Sequence, residues 1–180
     1  AAAGCQVDVF TRRDNVRLAE VVEWSPNLRI IHVPAGPPLS LPKEELLPYM
    51  GEFGAHLQRH FGPAGPGYDG VHANFFMSAL AALPAARRYG IPLAVTFHAL
   101  GRVRRLHQGE ADQFPNSRFE IEDSIVRQAD RIIAECPQDR QDLLELYGAD
   151  PRLVEIVPCG YDPAEMAPMD MAAARAQLDW

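Results

Sequence analysis

Six residues carry side chains, in positions, that suit contacts to a substrate hydroxyl or a phosphate: Lys43, Asn74, Phe75, His98, Arg104 and Arg118. His98 ends the apolar run Leu93-Ala94-Val95-Thr96-Phe97 and is followed by Ala99-Leu100-Gly101. An imidazole there titrates near neutral pH and can donate to a substrate hydroxyl or a leaving group, while a glycine lets backbone come close to a ligand. Arg102, Arg104 and Arg105 cluster just beyond it, and Arg118 opens the next helical segment, where backbone N–H groups also face outward. Together such groups can hold a phosphate. His72-Ala73-Asn74-Phe75-Phe76 follows an earlier apolar run, with Phe75 expected on the rim and Phe76 inside. Lys43 comes after a proline-rich loop, residues 34–42, that would lie across the same rim.

Each feature also has a plainer explanation. A histidine at a strand end is more often hydrogen-bonded within the protein, and His72 fits that description better than His98. Taken singly, the arginines read as a solvated face balanced by Glu110, Asp112, Glu120, Glu122 and Asp123, and Lys43 as a surface lysine. Convergence on one rim is what gives the phosphate reading weight. The sequence contains no GxGxxG, Walker loop, HExxH, GxSxG or Cys/His cluster, so hydride transfer, P-loop chemistry and zinc hydrolysis lose support.

The elements that must position these residues alternate. Val7 to Phe10 and Leu28 to Val33 read as strands, and Lys43 to about Phe61 as an amphipathic helix in spite of Pro48. Asp69 to Phe75 reads as a strand, Ser78 to Tyr89 as a helix stopped by Gly90, and Leu93 to Phe97 as a strand. A helix carrying Ile121, Ile125, Val126 and Ala129 precedes a strand at Arg131 to Ala134. A helix from Pro137 to Tyr147, closed by Gly148, precedes a last strand at Val154 to Val157. This order predicts an α/β fold: a Rossmann-like, doubly wound, mainly parallel sheet, with ligands beyond the strand carboxyl ends. The rule singles out the loops after Val33, Val71, Phe97 and Ala134.

Composition fits one globular core: 180 residues, 47% hydrophobic and 23% charged. A net charge of −7 and a pI near 5.3 argue against a nucleic-acid partner. Cys5, Cys136 and Cys159 are odd in number and far apart, which fits reduced thiols and a cytoplasmic location. No transmembrane segment is expected, because no run approaches the roughly 20 apolar residues a bilayer requires, and Ala1-Ala2-Ala3-Gly4 lacks signal-peptide character.

Three stretches carry a family resemblance: Tyr68-Asp69-Gly70-Val71-His72-Ala73-Asn74, Gly90 to Gly101, and Val157-Pro158-Cys159-Gly160-Tyr161-Asp162. They resemble the family-four retaining glycosyltransferases of the two-Rossmann-domain type, from about Cys5 to Pro168. The most specific match is the block from Leu93 to Glu122. The look is nearest to the branch containing sucrose-phosphate synthase and the mycothiol-pathway enzymes. The resemblance implies an acceptor-side first domain over residues 1–168 and, over 169–180, the start of a linker or helix toward a donor-binding domain outside this sequence. It also implies that the family's first strand and glycine-rich loop would precede Ala1. That strand should be central, so its loss would leave two unpaired edges, and this fragment alone would be inactive and poorly stable.

By the same resemblance, His98 contacts the donor sugar, Lys43, Arg104 and Arg118 hold the acceptor, and the Asn74-Phe75 loop shapes its pocket. The co-substrate is then a nucleoside-diphosphate sugar, the acceptor a sugar or sugar phosphate, and this domain binds no cofactor or metal of its own. Phe75 stands where the mycothiol enzymes carry a tyrosine, and Ala99 where a hydroxyl residue often follows the histidine. Two other readings of the same architecture stay open: a non-catalytic phosphosugar- or protein-binding module, and a nucleotide-sugar epimerase. The epimerase needs acid and base carboxylates in the cleft, and the sequence points to no such pair on the rim.

Overall fold

Alternating apolar periods of two and about 3.6 residues settle into seven strands and six α-helices among the described residues, which in the computed structural model are 4–65 and 67–180. Ala1 to Ala3, read above as lacking signal-peptide character, and Pro66 lie outside them. The elements are β1 (Val7–Arg12), β2 (Val21–Ser25), β3 (Leu28–Val33), α1 (Met50–Phe61), β4 (Val71–Asn74), α2 (Phe76–Tyr89) and β5 (Leu93–Thr96). Then come α3 (Gly101–Gln108), α4 (Ser117–Gln128), β6 (Arg131–Ala134), α5 (Pro137–Tyr147), β7 (Val154–Ile156) and α6 (Met171–Gln177).

The strands form two sheets, ordered β1-β3-β2 and β4-β5-β6-β7. All pairs in the second sheet are parallel, and β1 pairs parallel with β3. β2, which the sequence pattern did not reveal, runs antiparallel to β3 as a hairpin whose turn holds Asn27 at φ 65°. A cleft of about 850 Å³ opens at the start of β1 and just ahead of β4, lined by Val7, Asp8, Tyr68 and Gly70 among others. Tyr68 donates its hydroxyl to Asp8 at 2.7 Å, and the Phe10 and Tyr68 rings lie 6.2 Å apart.

Parallel strands bury the face that meets the helices. Ala73, Leu93, Val95, Ile132, Ala134 and Val154 form that face and are buried, whereas His72, Asn74, Ala94 and Glu155 alternate onto a more open side. Helix α2 carries Ala79, Ala81, Ala82, Ala85 and Ala86, all nearly inaccessible, and it packs against α1, α4 and the strands β4 and β5. Small side chains bring α1 and α2 close: a Cβ on Gly54 would sit 2.9 Å from the Ala81 carbonyl oxygen.

Two expectations change. Residues 43–61 do not form one helix: Lys43–Glu45 and Leu47–Tyr49 are 3₁₀ turns, and the α-helix starts only at Met50. Pro48 has no N–H and its ring opposes the carbonyl one turn back, which disfavours a helix running through it, although α2 does accommodate Pro84 in its interior. The arginine-rich segment after His98, read as a rim loop, is the helix α3. Gly90 and Gly148 do close α2 and α5, at φ 68° and 61°.

Candidate active site

Three strand ends build the rim. β4 ends at Asn74, and the chain turns on Phe75 at φ 76° before α2 begins. Phe76 is fully buried and Phe75 half-buried, so the two adjacent rings divide between core and rim. β5 is followed by buried Phe97 and by a three-residue turn, closed where the Ala99 N–H donates to the Phe97 carbonyl at 2.6 Å. His98, at the apex, has φ 57°. Non-glycine residues avoid that region, and held strain of this kind clusters at functional sites.

His98 is bonded through both ring nitrogens. Nδ1 lies 2.9 Å from Glu135 Oε1 and Nε2 lies 2.8 Å from Asn74 Oδ1. Glu135 follows β6, its backbone N–H donates to Asp139 at 3.1 Å, and its carboxylate also accepts the Cys159 thiol at 2.9 Å. The thiol bond holds the Glu135 carboxyl below its usual range, burial opposes it, and His98 adds to the lowering. Glu135 in turn pushes the Cys159 thiol up. His72, one step back on β4, bonds Thr96 Oγ1 at 2.8 Å, and burial followed by the His98 charge pushes its pKa down.

A cavity of about 460 Å³ opens beside this group, with Arg12, Lys43, Phe53, Phe75, Ser78 and His98 in its lining. The structure therefore brings Lys43, Phe75 and His98 to one space, with Asn74 bonded to the imidazole. Lys43 is exposed there, and among the described residues its ammonium group forms no ion pair.

The arginines are engaged elsewhere. Arg102 bonds Asp123 with both terminal nitrogens, and Arg105 reaches Asp112 and Asn116. Arg104 donates to Asp112 at 3.0 Å and lies 3.7 Å from Glu44, so two carboxylates already offset its charge. Arg118 is inaccessible to solvent, stacked on the rings of Phe75, Phe76 and Phe114 at 4.7 to 5.2 Å. Its Nε donates to Glu122 at 2.7 Å and its Nη2 to the Ala99 carbonyl at 2.5 Å, while buried Nη1 has no partner among the described residues. The Arg118 backbone N–H is spent on Pro115 rather than facing outward.

Two carboxylates read above as solvated are inside: Asp112 is 8% and Glu122 0% exposed. Glu122 accepts from Arg118, from the Gly101 N–H and from the Tyr147 hydroxyl. That network explains Gly101 differently from ligand approach, because a Cβ there would stand 2.8 Å from Glu122 Oε2 and 2.9 Å from Arg118 Nε. Glu135 was also missed as a rim carboxylate. Its signal was available, since it directly follows a strand, the criterion that selected His98.

Among the described residues, no helix is long and apolar enough to cross a membrane, and no group of three or more His, Cys, Asp or Glu could hold a metal ion. Compared with known proteins, residues 1–165 match the Glycosyltransferase Family 4 profile. The chain is 38% identical over 180 residues to the D-inositol 3-phosphate glycosyltransferase of Geodermatophilus obscurus, covering 99% of this chain and 40% of that protein. It is 38% identical over 179 residues to D-inositol 3-phosphate glycosyltransferase 1 of Catenulispora acidiphila, covering 99% and 42%. Its structure is similar to sucrose-phosphate synthase from Thermosynechococcus elongatus, with a TM-score of 0.86 and 29% identity over 99% of this chain and 44% of that one. Anabaena HepE in complex with UDP-glucose shares the fold, at a TM-score of 0.51 and 16% identity. The chain thus spans about two-fifths of the length of the curated relatives it matches.

Proposed function

This chain belongs to glycosyltransferase family 4, and on that premise we propose that it forms the acceptor-side domain of a retaining glycosyltransferase. In the complete enzyme a sugar passes from a nucleoside diphosphate to an acceptor hydroxyl, and the acceptor is a phosphorylated polyol or sugar. The carrying observation is the juxtaposition of His98, Lys43 and Phe75 at one cavity beyond the strand ends. The names of two relatives, D-inositol 3-phosphate glycosyltransferase and sucrose-phosphate synthase, support a phosphorylated acceptor.

His98 donates to the donor sugar and stabilises charge there, Lys43 meets the acceptor's phosphate, and Phe75 shapes the wall between them. Arg118 supports the Phe75 loop from behind, and its spare Nη1 reaches an acceptor only if that ring turns aside. Arg104 contributes to the field at the rim, reduced by Asp112 and Glu44. The protein's part is positioning and electrostatic stabilisation, aided by remote binding of the phosphate.

The test uses the complete enzyme containing this domain, assayed with nucleoside-diphosphate sugars and with inositol 3-phosphate or unphosphorylated inositol as acceptor. Lys43→Ala should raise the KM for the phosphorylated acceptor by about tenfold to a hundredfold, as expected for loss of one charge-assisted contact, and leave the unphosphorylated one nearly unchanged. Equal use of both acceptors by the unaltered enzyme would refute the phosphate reading.

A further inference from the structure

The His98 ring is held by little besides hydrogen bonds. Its side chain is 45% exposed, and it stands on a strained turn that fixes the Cα but leaves the ring free to rotate. Two bonds clamp it, one to the end of β4 at Asn74 and one to the residue after β6 at Glu135. Glu135 is itself fixed twice, through its backbone N–H to Asp139 and through the Cys159 thiol, so the ring is aligned by a chain that crosses three strand ends.

We infer that Glu135 is a positioning residue for the transfer reaction, acting through His98, so the inference rests on the reading of His98 given above. An ionised carboxylate can only accept, so the hydrogen of this pair must sit on Nδ1 of His98. It also leaves Nε2 on the side of Asn74 and the cavity, where an Nε2–H donates to Asn74 Oδ1 at 2.8 Å and must exchange that partner for a sugar oxygen when the donor binds. A buried carboxylate orienting a catalytic imidazole is a recurrent device. No proton needs to reach Glu135 during the reaction: it holds the ring and offsets its charge.

The charged and titratable groups facing His98 are His72 on β4, Glu135 after β6, Cys159 after β7, and Asp139 and Asp142 of α5, with Arg12 and Lys43 across the larger cavity. Of these, Glu135 is the one hydrogen-bonded to the ring. Replacing it should therefore disturb the ring's alignment more than replacing any of the others.

The experiment compares Glu135→Ala, Glu135→Gln, His98→Ala and the double variant His98→Ala/Glu135→Ala in the complete enzyme. Glu135→Ala is expected to lower kcat on the order of tenfold to a hundredfold while the KM of both substrates stays within about twofold. On the His98→Ala background it should cost nothing further, because the residue acts through the ring. Glu135→Gln keeps an acceptor for Nδ1–H but removes the charge. It should therefore retain more of the rate than Glu135→Ala, because the ring keeps its partner. An equal loss from Glu135→Ala with and without His98 overturns the inference alone, and so does normal turnover of Glu135→Ala beside an inactive His98→Ala enzyme. A fully active His98→Ala enzyme overturns the underlying reading too. Should Glu135→Ala not fold, Glu135→Gln decides: its loss of rate should vanish on the His98→Ala background, and an equal loss with and without His98 counts against the inference.

Discussion

At φ 57°, His98 keeps its Cβ close to backbone oxygen, a conformation that costs a non-glycine residue about 1 kcal/mol or more. Glycine has no such cost. In this chain His98→Gly should be more stable than His98→Ala by about 1 kcal/mol, although both remove the imidazole. Urea denaturation of the two variants measures this, and an alanine variant of equal or greater stability would show that the turn is unstrained. Gly101 is constrained differently, by crowding: Gly101→Ala should lose about 1 to 3 kcal/mol, since the new methyl meets Glu122 and Arg118, both fully buried. Glu122→Ala should cost more, roughly 3 to 5 kcal/mol, because it strands a buried guanidinium. These residues also show what a sequence reveals at this scale. His98 and Phe75 could be found because strand ends and unusual residue types coincide. Arg118 and Glu122 stand four apart on a helix, a spacing plain in the sequence, but spacing says nothing about burial, so Arg118 was expected on the acceptor and Glu122 in solvent, not buried against each other.

Elements were legible where period and punctuation agreed. The helices closed by Gly90 and Gly148, and the strands from 93 to 96 and 131 to 134, follow from apolar pattern and stop signals. α3 was not, because its eight residues carry three arginines and an exposed Leu106, so no apolar stripe marks it. β2 is five residues long and mostly exposed, and its pairing depends on a turn at Asn27 rather than on alternation. Within α1, His56 is 5% exposed, its ring is stacked 4.4 Å from His60, and its Nε2 lacks a partner among the described residues. Burial, followed by the charges of His60 and Arg59, holds its pKa below the ordinary 6.5. The unfolded chain therefore takes up this proton first, so the native state keeps its full margin above that value and loses it as pH falls. Denaturation midpoints should drop between pH ~7.5 and ~5.5, and His56→Leu should flatten that dependence. An unchanged slope would place the sensitivity elsewhere.

For the whole molecule, strand–helix alternation was enough to identify the α/β architecture, and the parallel pairing of β4 to β7 follows from it. The division into two sheets follows instead from which edges meet, a long-range property that no local period carries. β5 and β6 are paired on both sides and packed beneath helices, whereas β1 and β4 each have one open edge. Hydrogen exchange should accordingly be slowest at Val95 and Ile132 and faster along β1 and β4. Uniform protection across all of these strands would contradict the divided arrangement.

The cavity beside His98 draws its walls from both sheets, with Phe10, Thr11 and Arg12 on one side and Phe75 and His98 on the other. Its aperture is therefore not a property of either sheet but of the spacing between them. The α1–α2 contact and the Tyr68–Asp8 bond tie the two halves together and help set that spacing. A substitution at either link can then reshape the cavity without touching its wall.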